Sequence, residues 1–328
     1  MSTQNLTTTS PVVEKIETEQ PPVEEKLKPL EKVKVYFTKE ITPASLIKIF
    51  KAVGFDLRGK VGVKISTGEP GGKNYLKPEL IKDIVQYLQA NIIECCTAYG
   101  GKRQKLEDHL KCVEDHGFTK IAKVDILDAE GEISIPTRKE AIHLKEDIVG
   151  KNIENYDSVL CLSHFKGHAM GGFGGALKNM SIGFASTKGK LYIHSAGSDN
   201  LDQEYVWSHL PPQDLFLESM AEASQAVADY FAKKEGIVYI NVINNISVDC
   251  DCDGNSAPPC MKDIGICASL DPVAIDRCCL DLCMKSNDPG LETFLERVET
   301  RHGARTIEHA VYLRHGTTFY EMVNIDKK

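Results

Sequence analysis

Short apolar runs alternate with longer amphipathic stretches along most of the chain, and this alternation limits the possible folds more than any other feature. Strands are predicted at 34–38, 61–66, 91–98, 157–163, 237–244 and 263–269. Helices are predicted at 77–89, 104–117, 214–234, 271–285, about 290–302 and 304–314. Strands that are separated by helices usually pair side by side in the same direction. The sequence therefore predicts an α/β fold with largely parallel sheets.

The length of 328 residues is enough for two ordinary domains. We expect an N-terminal α/β domain over 33–150 and a C-terminal α/β domain over 151–328, with a cleft between them. A polar stretch at 125–147 is typical of a hairpin or a sheet edge. Residues 1–32 are rich in Thr, Glu, Pro and Lys with few large apolar side chains, which predicts a disordered and dispensable tail.

Charge and composition exclude several classes of protein. The net charge of −8 argues against a general nucleic-acid-binding protein. No apolar run approaches the roughly 18 residues of a membrane span, and the first residues show no signal-peptide pattern. The 11 cysteines indicate a reducing compartment, with thiol, metal or redox chemistry. We therefore expect a cytoplasmic protein without nucleic-acid or membrane partners.

Three glycine-rich loops follow predicted strands, where α/β folds commonly bind ligands. They read "STGEPGGKNY" (66–75), "AYGGKR" (98–103) and "HFKGHAMGGFGGALKN" (164–179). Such loops present backbone N–H groups to anions, although each one alone can be an ordinary tight turn with solvated lysines. The predicted cofactor-binding residues are Gly68, Glu69, Gly71, Gly72, Lys73, Asn74, Gly100, Gly101, Lys102, Gly171, Gly172, Gly174, Gly175 and Asn179.

His168, Lys178 and His194 are the candidate catalytic residues. They offer a general acid or base, an amine that can bind an anion or form a covalent bond, and a metal-capable imidazole. We expect them to line one cavity together with the loop at 66–75, with Lys178 partly buried. The alternative is that Lys178 points to solvent and His194 ends a strand.

A second candidate group contains cysteines. "DCDCDG" (249–254) follows a predicted buried strand, and Cys250 and Cys252 in it, with His164 and His194, are candidate metal ligands. With Cys260 and Cys267 the spacing is C-x-C-x₇-C-x₆-C, which matches no ferredoxin or zinc pattern. The sequence therefore favours another cofactor over an iron–sulfur cluster. Three further cysteines lie on an apolar helix and are expected to be core thiols: Cys278, Cys279 and Cys283.

The stretch "LDPVAID" (270–276) contains two aspartates with different expected roles. Asp271 precedes Pro272 and is the predicted N-cap of the following helix. The role of Asp276 stays open between a structural carboxylate and a group at the ligand site.

Several motifs together resemble one known family. They are "VKISTGEPGGKNYLKPEL", "LSHFKGHAMGGFGGALKNMSIGFASTKGKLYIHS", "DCDCDGNSAPP" and "DIGICASLDPVAID". On these motifs the chain is identified as a member of the domain of unknown function 362 family over nearly all of residues 34–322. Many members carry a ferredoxin-like insert after the stretch that reads "GKLYIHS" here. This chain has "AGSDNLDQEYVWSHLPP" at that place, without a cysteine, so a ferredoxin would be a separate partner.

A weaker resemblance concerns "HAMGGFGGALKNMSIGFAS…H" (168–194), which is similar to a segment of the lactate racemase family. The resemblance implies that Lys178 attaches a nickel-pincer nucleotide, that His194 binds nickel and that His168 is an acid–base catalyst. It also implies a lactate-racemase-like fold, in which the loop at 66–75 contacts phosphate. The racemases carry a further catalytic histidine where this chain has "AYGGKR", so the resemblance implies a shared site position rather than a shared reaction.

These features lead to one expected function and two alternatives. We expect an enzyme of the oxidoreductase type that uses a nucleotide-derived or metal cofactor for redox or hydride-transfer chemistry on a small anionic substrate. One alternative is a racemase-like isomerase. The other is a non-catalytic metal or iron–sulfur carrier that works with a separate ferredoxin through the "DCDC" motif.

Overall fold

One eight-stranded sheet runs through the protein. The computed structural model describes residues 32–327, so the predicted tail falls outside the described residues except for Lys32. The strands are β1 (Val33–Thr38), β2 (Val61–Lys64), β3 (Asn91–Glu94), β4 (Val124–Ile126), β5 (Glu132–Pro136), β6 (Glu146–Gly150), β7 (Ser158–His164), β8 (Lys166–His168), β9 (Gly172–Gly174), β10 (Ile237–Ile243), β11 (Gly265–Ser269) and β12 (Tyr320–Asn324).

Ten α-helices connect or cover these strands within the described residues. They are α1 (Pro43–Val53), α2 (Pro78–Tyr87), α3 (Leu106–Asp115), α4 (Ala176–Met180), α5 (Thr187–His194), α6 (Gln203–Ser208), α7 (Gln213–Ala232), α8 (Pro272–Met284), α9 (Leu291–Thr300) and α10 (Ala304–Tyr312). No helix in the described part of the chain combines the length and the apolar character needed to cross a membrane.

The strand order in the large sheet is β12-β1-β11-β10-β7-β2-β3-β4. Among these described strands, β11 runs antiparallel to both of its neighbours, and all other adjacent pairs are parallel. Two small antiparallel pairs, β5–β6 and β8–β9, lie outside the sheet. The predicted α/β class with a largely parallel sheet is therefore confirmed, and the polar stretch contains a hairpin as expected.

The predicted division at residue 150 does not separate two units. Strand β7, from the predicted second domain, pairs in parallel with β2, from the predicted first domain. Residues from Lys32 onward form one compact unit. The reason is that the chain returns to the middle of the same sheet after the β5–β6 hairpin, instead of starting a second sheet. The length of the chain alone could not show that it returns to the same sheet.

Both faces of the sheet are covered by helices, because the central strands are apolar on both sides. Along β7, Val159 and Cys161 belong to one core cluster, whereas Leu160 and Leu162 belong to the other. Helices α1 and α2 cover the second face with Leu46, Ile81 and neighbouring side chains, while α4, α7 and α8 cover the first. This alternation along a strand is the pattern of a three-layer α/β/α arrangement.

Two aspartates at the start of α8 have distinct structural roles. Asp271 is the N-cap, as predicted, and its carboxylate accepts hydrogen bonds from the backbone N–H groups of Val273 and Ala274 at 2.9 and 2.8 Å. Asp276 is buried and accepts hydrogen bonds from the backbone N–H groups of Ala176 and Leu177 at 2.7 and 3.0 Å. Asp276 therefore caps the neighbouring helix α4.

We expect Asp276→Asn to lower the free energy of unfolding by about 1–3 kcal/mol, because an amide places N–H donors against the backbone N–H groups of α4. The measurement is urea unfolding at pH 7. Asp115→Asn, on an exposed ion pair with Lys111, is the matched control and should change stability by less than about 0.5 kcal/mol. Equal effects of the two substitutions would contradict a capping role for Asp276.

Candidate functional site

A cavity of about 290 Å³ lies at the carboxyl edge of three adjacent parallel strands. Its lining includes Lys64, Glu94 and His164, which are the last residues of β2, β3 and β7. These strands are neighbours in the sheet, so their ends meet at one place. This is the position at which open α/β sheets commonly bind ligands.

The three candidate catalytic residues line this same cavity. His168 ends β8, Lys178 lies on the short helix α4, and His194 ends α5. Lys178 is half-buried, whereas both histidines are buried. Ser66 is the residue by which the 66–75 loop reaches the cavity. The structure thus brings together three residues that span 26 positions of the chain, from His168 to His194, and Ser66 from a distant loop.

Hydrogen bonds determine which ring nitrogen of His168 carries the proton in the neutral ring. Its Nδ1 atom accepts hydrogen bonds from the backbone N–H groups of Met170 at 3.2 Å and Gly171 at 2.8 Å. Burial, together with the charge of Lys178, lowers the pKa of His168. In the neutral ring the proton must then be on Nε2, because Nδ1 needs its lone pair for the two backbone donors. His168 therefore offers an N–H donor.

His194 sits in an aromatic environment. Its ring stacks on Phe216 with a centroid distance of 4.4 Å and lies 4.9 Å from the ring of Trp207. Burial lowers the pKa of His194 to about 3, with a smaller contribution from nearby cationic groups. The buried Nδ1 atom has no hydrogen-bond partner among the described residues. His194 is consequently a neutral imidazole at physiological pH.

Lys64 and Asn179 form the floor of the cavity. The Lys64 ammonium donates to the Ile65 carbonyl at 2.7 Å and to Asn179 Oδ1 at 3.2 Å. The Asn179 amide donates in turn to the backbone carbonyls of Lys64 and Leu162 at 3.1 and 3.3 Å. Asn179, which was predicted to bind a cofactor, therefore also ties the ends of β2 and β7 together.

Five cationic side chains line the cavity against one carboxylate, that of Glu94; they are Lys64, Arg103, Lys166, Lys178 and Lys190. Two of them are neutralised within the protein. Arg103 pairs with Glu94 at 2.6 Å, and Lys166 pairs with Asp251 at 2.9 Å. Burial opposes ionisation of Glu94, but the charge of Arg103 and the hydrogen bond with His109 hold its pKa well below the usual range. The remaining three lysines give the cavity a positive character.

Most of the predicted cofactor-binding residues of the first two loops do not line this cavity. The 66–75 loop packs instead on the segment 251–257, through hydrogen bonds from Glu69 N–H to the Asp251 carbonyl and from the Asn74 amide to the Ala257 carbonyl. Gly71 (φ +92°) and Gly72 lie so close to the backbone of residues 253–254 that a side chain would meet it. A side chain on Gly68 would likewise meet the ring of Tyr75. Lys73 is exposed.

The 98–103 loop lies around Glu69. The Glu69 carboxylate accepts hydrogen bonds from Tyr99 Oη at 3.1 Å and from the Lys102 N–H group at 3.2 Å. Together with Gly100 and Gly101, these residues line a second, more open pocket at the surface. The backbone donors that the sequence assigned to an anionic ligand are partly used by the protein's own carboxylate. The composition of a loop cannot show whether its N–H groups bind an anionic ligand or a carboxylate of the protein itself.

The glycines at 171–175 divide into two groups. Gly174 and Gly175 line the cavity. Gly171 lies at the turn that bonds to His168, and Gly172 (φ +76°) approaches Gly303 so closely that a Cβ atom would lie 2.8 Å from its Cα atom. The backbone at Gly174 and Gly175 could therefore approach a ligand in the cavity closely.

Of the four predicted metal ligands, Cys250 and Cys252 lie close together, but His164 is engaged elsewhere. His164 places Nδ1 against the Asp251 carboxylate at 2.9 Å and Nε2 against the Asn244 carbonyl at 2.6 Å, so neither nitrogen has a lone pair to offer. Within residues 32–327, one group of three potential ligands lies within 4.8 Å: His168, Cys250 and Cys252. The proton on His168 Nε2 argues against its use as a ligand in this arrangement.

Lys64, Glu94 and Lys190 line the cavity but were not among the predicted site residues. A sequence signal exists for the first two, because each is a charged residue within an otherwise apolar strand, in "VGVKIS" and "NIIECC". Charged side chains inside such runs are almost never fully buried without a specific role. Lys190 had no comparable signal, since it ends the polar run "STKGK" and does not lie within an apolar one.

The fold and the site define an α/β protein with a positively charged cavity at the carboxyl edge of a mostly parallel sheet. The model of the family described as "Domain of unknown function (DUF362)" matches residues 61–281, and the chain therefore belongs to this family. The family identified from the sequence motifs is confirmed. No curated protein matches the chain.

Two solved structures are similar to the chain at low identity. A crystal structure of a protein from Thermotoga maritima is 13% identical, with a TM-score of 0.42 over 84% of this chain and 59% of that one. The lactate racemase apoprotein from Thermoanaerobacterium thermosaccharolyticum is 14% identical, with a TM-score of 0.38 over 64% of this chain and 50% of that one. The chain spans less than two thirds of the length of either protein.

Because of Lys64, the free energy of unfolding should depend on pH between about 8 and 10.5. Burial lowers its pKa from 10.5 to about 8, so the unfolded chain binds more protons than the folded protein between these pH values. Stability from this group should therefore rise with pH, by about 3 kcal/mol across the window. We expect urea unfolding to show this gain in the wild type relative to Lys64→Met. Parallel stability curves for the two proteins would contradict it.

Gly174 and Gly175 form a matched pair for substitution. A Cβ atom on Gly175 would overlap the Asp276 carboxylate, whereas one on Gly174 would have Lys178 Cδ at 3.4 Å as its nearest contact. We expect Gly175→Ala to cost about 1–3 kcal/mol of unfolding free energy and Gly174→Ala about 1 kcal/mol or less. Equal costs in urea unfolding would show that the contact with Asp276 does not constrain this segment.

Proposed function

We propose that the chain is an enzyme that binds a small anionic substrate in this cavity and carries out redox chemistry on it. The supporting observation is that Lys64, Lys178 and Lys190 face the same space as His168 and His194, without an ion-pair partner among the described residues. Two charges 4 Å apart attract by about 4 kcal/mol at an effective dielectric constant near 20. Three such cations around a small cavity favour an anion.

The candidate catalytic residues would have different roles toward this anion. Lys178 is half-buried and its amine is not held by a carboxylate, so it is the group that we assign to the anionic end of the substrate. His168 would donate a hydrogen bond through Nε2–H. His194, neutral because its pKa is about 3, would contribute a lone pair rather than a charge.

The resemblance to lactate racemases implies a nickel-pincer nucleotide, and the residues here fit such a group in part. Lys178 and His194, which would hold it, line one cavity, and the buried His194 Nδ1 atom has no partner among the described residues. When bound, the group would supply two-electron redox chemistry. The phosphate contact implied for the 66–75 loop is the part without support, because this loop reaches the cavity through Ser66.

A racemase-like isomerase is the weaker alternative. Racemisation needs acid–base groups on both faces of the substrate, and the 98–103 loop would have to supply the second one. Tyr99 and Arg103 from this loop line the cavity, but Arg103 is paired with Glu94 and burial raises the pKa of Tyr99 far above neutral pH. Neither is suited to exchange a proton near pH 7.

A metal or iron–sulfur carrier is also weaker than an enzyme. Clusters of this type are commonly held by four cysteines. The group that the described residues bring together contains two cysteines and one histidine, and Cys267 lies buried in β11. The cationic cavity has no role in a simple carrier, whereas it is required for an enzyme with an anionic substrate.

We expect Lys178→Gln to weaken the binding of small anions by about 10- to 100-fold, because one charge-assisted hydrogen bond contributes about 1.5–3 kcal/mol. The measurement is calorimetric titration of the purified protein with oxalate and with inorganic phosphate. The matched control is Lys188→Gln, which removes a lysine on α5 that is more than half exposed.

Intact mass of the anaerobically purified protein is measured first, because a covalent group on Lys178 would block the titration. Such a group should be absent from Lys178→Gln and present in Lys188→Gln. The proposed function is contradicted if adduct-free wild-type protein binds neither anion, or if the two lysine substitutions weaken binding equally.

A further inference from the structure

Asp251, the residue between Cys250 and Cys252, anchors their segment beside the cavity. The Asp251 side chain points away from the cysteines and is held by His164 at 2.9 Å and Lys166 at 2.9 Å. Residues 250–253 form a turn, closed by a hydrogen bond from the Asp253 N–H group to the Cys250 carbonyl at 3.0 Å. Both cysteines line the cavity, and both are free thiols. The buried Asp251 network thus holds two sulfurs in place at the site.

The two sulfurs are close together and in an environment suited to a thiolate. Both Sγ atoms lie within 4.8 Å of each other and of a ring nitrogen of His168. Cys250 Sγ accepts a hydrogen bond from the Cys252 N–H group at 3.3 Å, and the Lys178 ammonium lies 4.0 Å away. N–H donors and nearby cations stabilise the charged form of a cysteine, which is the nucleophilic one.

The balance of these contacts favours Cys250 as the nucleophile. Cys250 is buried, and its sulfur lies between the Cys252 N–H donor at 3.3 Å and the Lys178 ammonium at 4.0 Å. Cys260, which lies half-buried outside the cavity, is different, since burial raises its pKa. Reactivity should therefore be confined to the cavity.

Cys252 has access to a second space. It lines the outer pocket, beside Tyr99 and Glu69, as well as the inner cavity. This outer pocket is more open to solvent, and Cys252 is itself only partly buried. A thiol in this position can exchange with a molecule outside the protein while its neighbour Cys250 faces the substrate.

We propose that Cys250 and Cys252 are a reversible dithiol–disulfide pair that reduces small anionic disulfides bound in the cavity. This inference rests on the proposed function and specifies its redox group and its substrate class. The lysines select the anionic substrate, Cys250 is the nucleophile and Cys252 is the resolving thiol. A metal site formed by the same sulfurs would need the lone pair of His168 Nε2, which carries the proton in the neutral ring.

The reaction balances in two exchange steps. The Cys250 thiolate attacks one sulfur of the substrate disulfide, and the first thiolate leaves and takes a proton from solvent. The Cys252 thiol then attacks the Cys250 sulfur and releases the second thiolate, which takes the proton that Cys252 gives up. The substrate gains two electrons and two protons, and the pair becomes a disulfide. An external dithiol reduces this disulfide by exchange at Cys252.

The experiment uses the full chain and 3,3′-dithiodipropionate, a small disulfide with two carboxylates. Bis(2-hydroxyethyl) disulfide is the neutral counterpart. We expect the wild type to lose two hydrogens in intact mass and to form a Cys250–Cys252 bond in peptide maps. Cys252→Ser should instead stop at a mixed disulfide on Cys250, and Cys250→Ser should give neither product. Cys260→Ser is the matched control and should behave as the wild type.

The anionic disulfide should react at least about tenfold faster than the neutral one, and Lys178→Gln should remove this preference. The inference is overturned if Cys252→Ser, or Cys252→Ala where the serine variant does not fold, carries no mixed disulfide on Cys250. It is also overturned if the wild type binds one Zn²⁺ that protects Cys250 from reaction and that Cys250→Ser does not bind. Retained oxalate binding in either case would leave the proposed function standing.

Discussion

The carboxylate of Asp276 is the interaction on which the geometry of the site depends. It accepts hydrogen bonds from the first two N–H groups of α4 and from the Asn241 side chain on β10, at 2.7 to 3.0 Å. One buried group thus fixes a five-residue helix relative to α8 and to the sheet. Such a helix is too short to be stable alone. The positions of Lys178 and Asn179 follow from this cap, and through Asn179 also the ends of β2 and β7.

Charge around the cavity is of two kinds. Arg103 is paired with Glu94 and Lys166 with Asp251, so these buried charges are neutralised within the protein. A buried pair holds its members in place even where its net contribution to stability is small. The unpaired lysines face the cavity itself, and the lowered pKa of Lys64 reflects the cost of that arrangement. An anion bound beside Lys64 would reverse this cost, which couples ligand binding to stability.

The sheet, and the meeting of His168, Lys178 and His194 at one cavity, could be predicted from the sequence for a physical reason. Hydrophobic periodicity marks strands and helices, and the carboxyl ends of parallel strands must meet at one edge. Helix α5 was not predicted, because "TKGKLYIH" has a glycine and little apolar periodicity, and its stability comes from packing on β6 and α7. The partners of the 66–75 loop and of His164 could not be predicted, because these partners are distant in sequence. Glu69 bonds to Asp251, and His164 to Asp251 and Asn244.

The glycines of "HFKGHAMGGFGG" are explained mainly by the protein's own backbone. A Cβ atom at Gly167 would lie 2.6 Å from Val248 Cα, and Gly167 N–H donates to the Ser247 carbonyl at 2.8 Å. This contact brings the segment that carries Cys250 against the strand that ends in His168. Larger residues here would move the sulfurs away from His168 and Lys178, whatever the side-chain chemistry of those residues. The glycine-rich stretch is therefore required for the close approach of the segments that carry His168 and Cys250, before any ligand is considered.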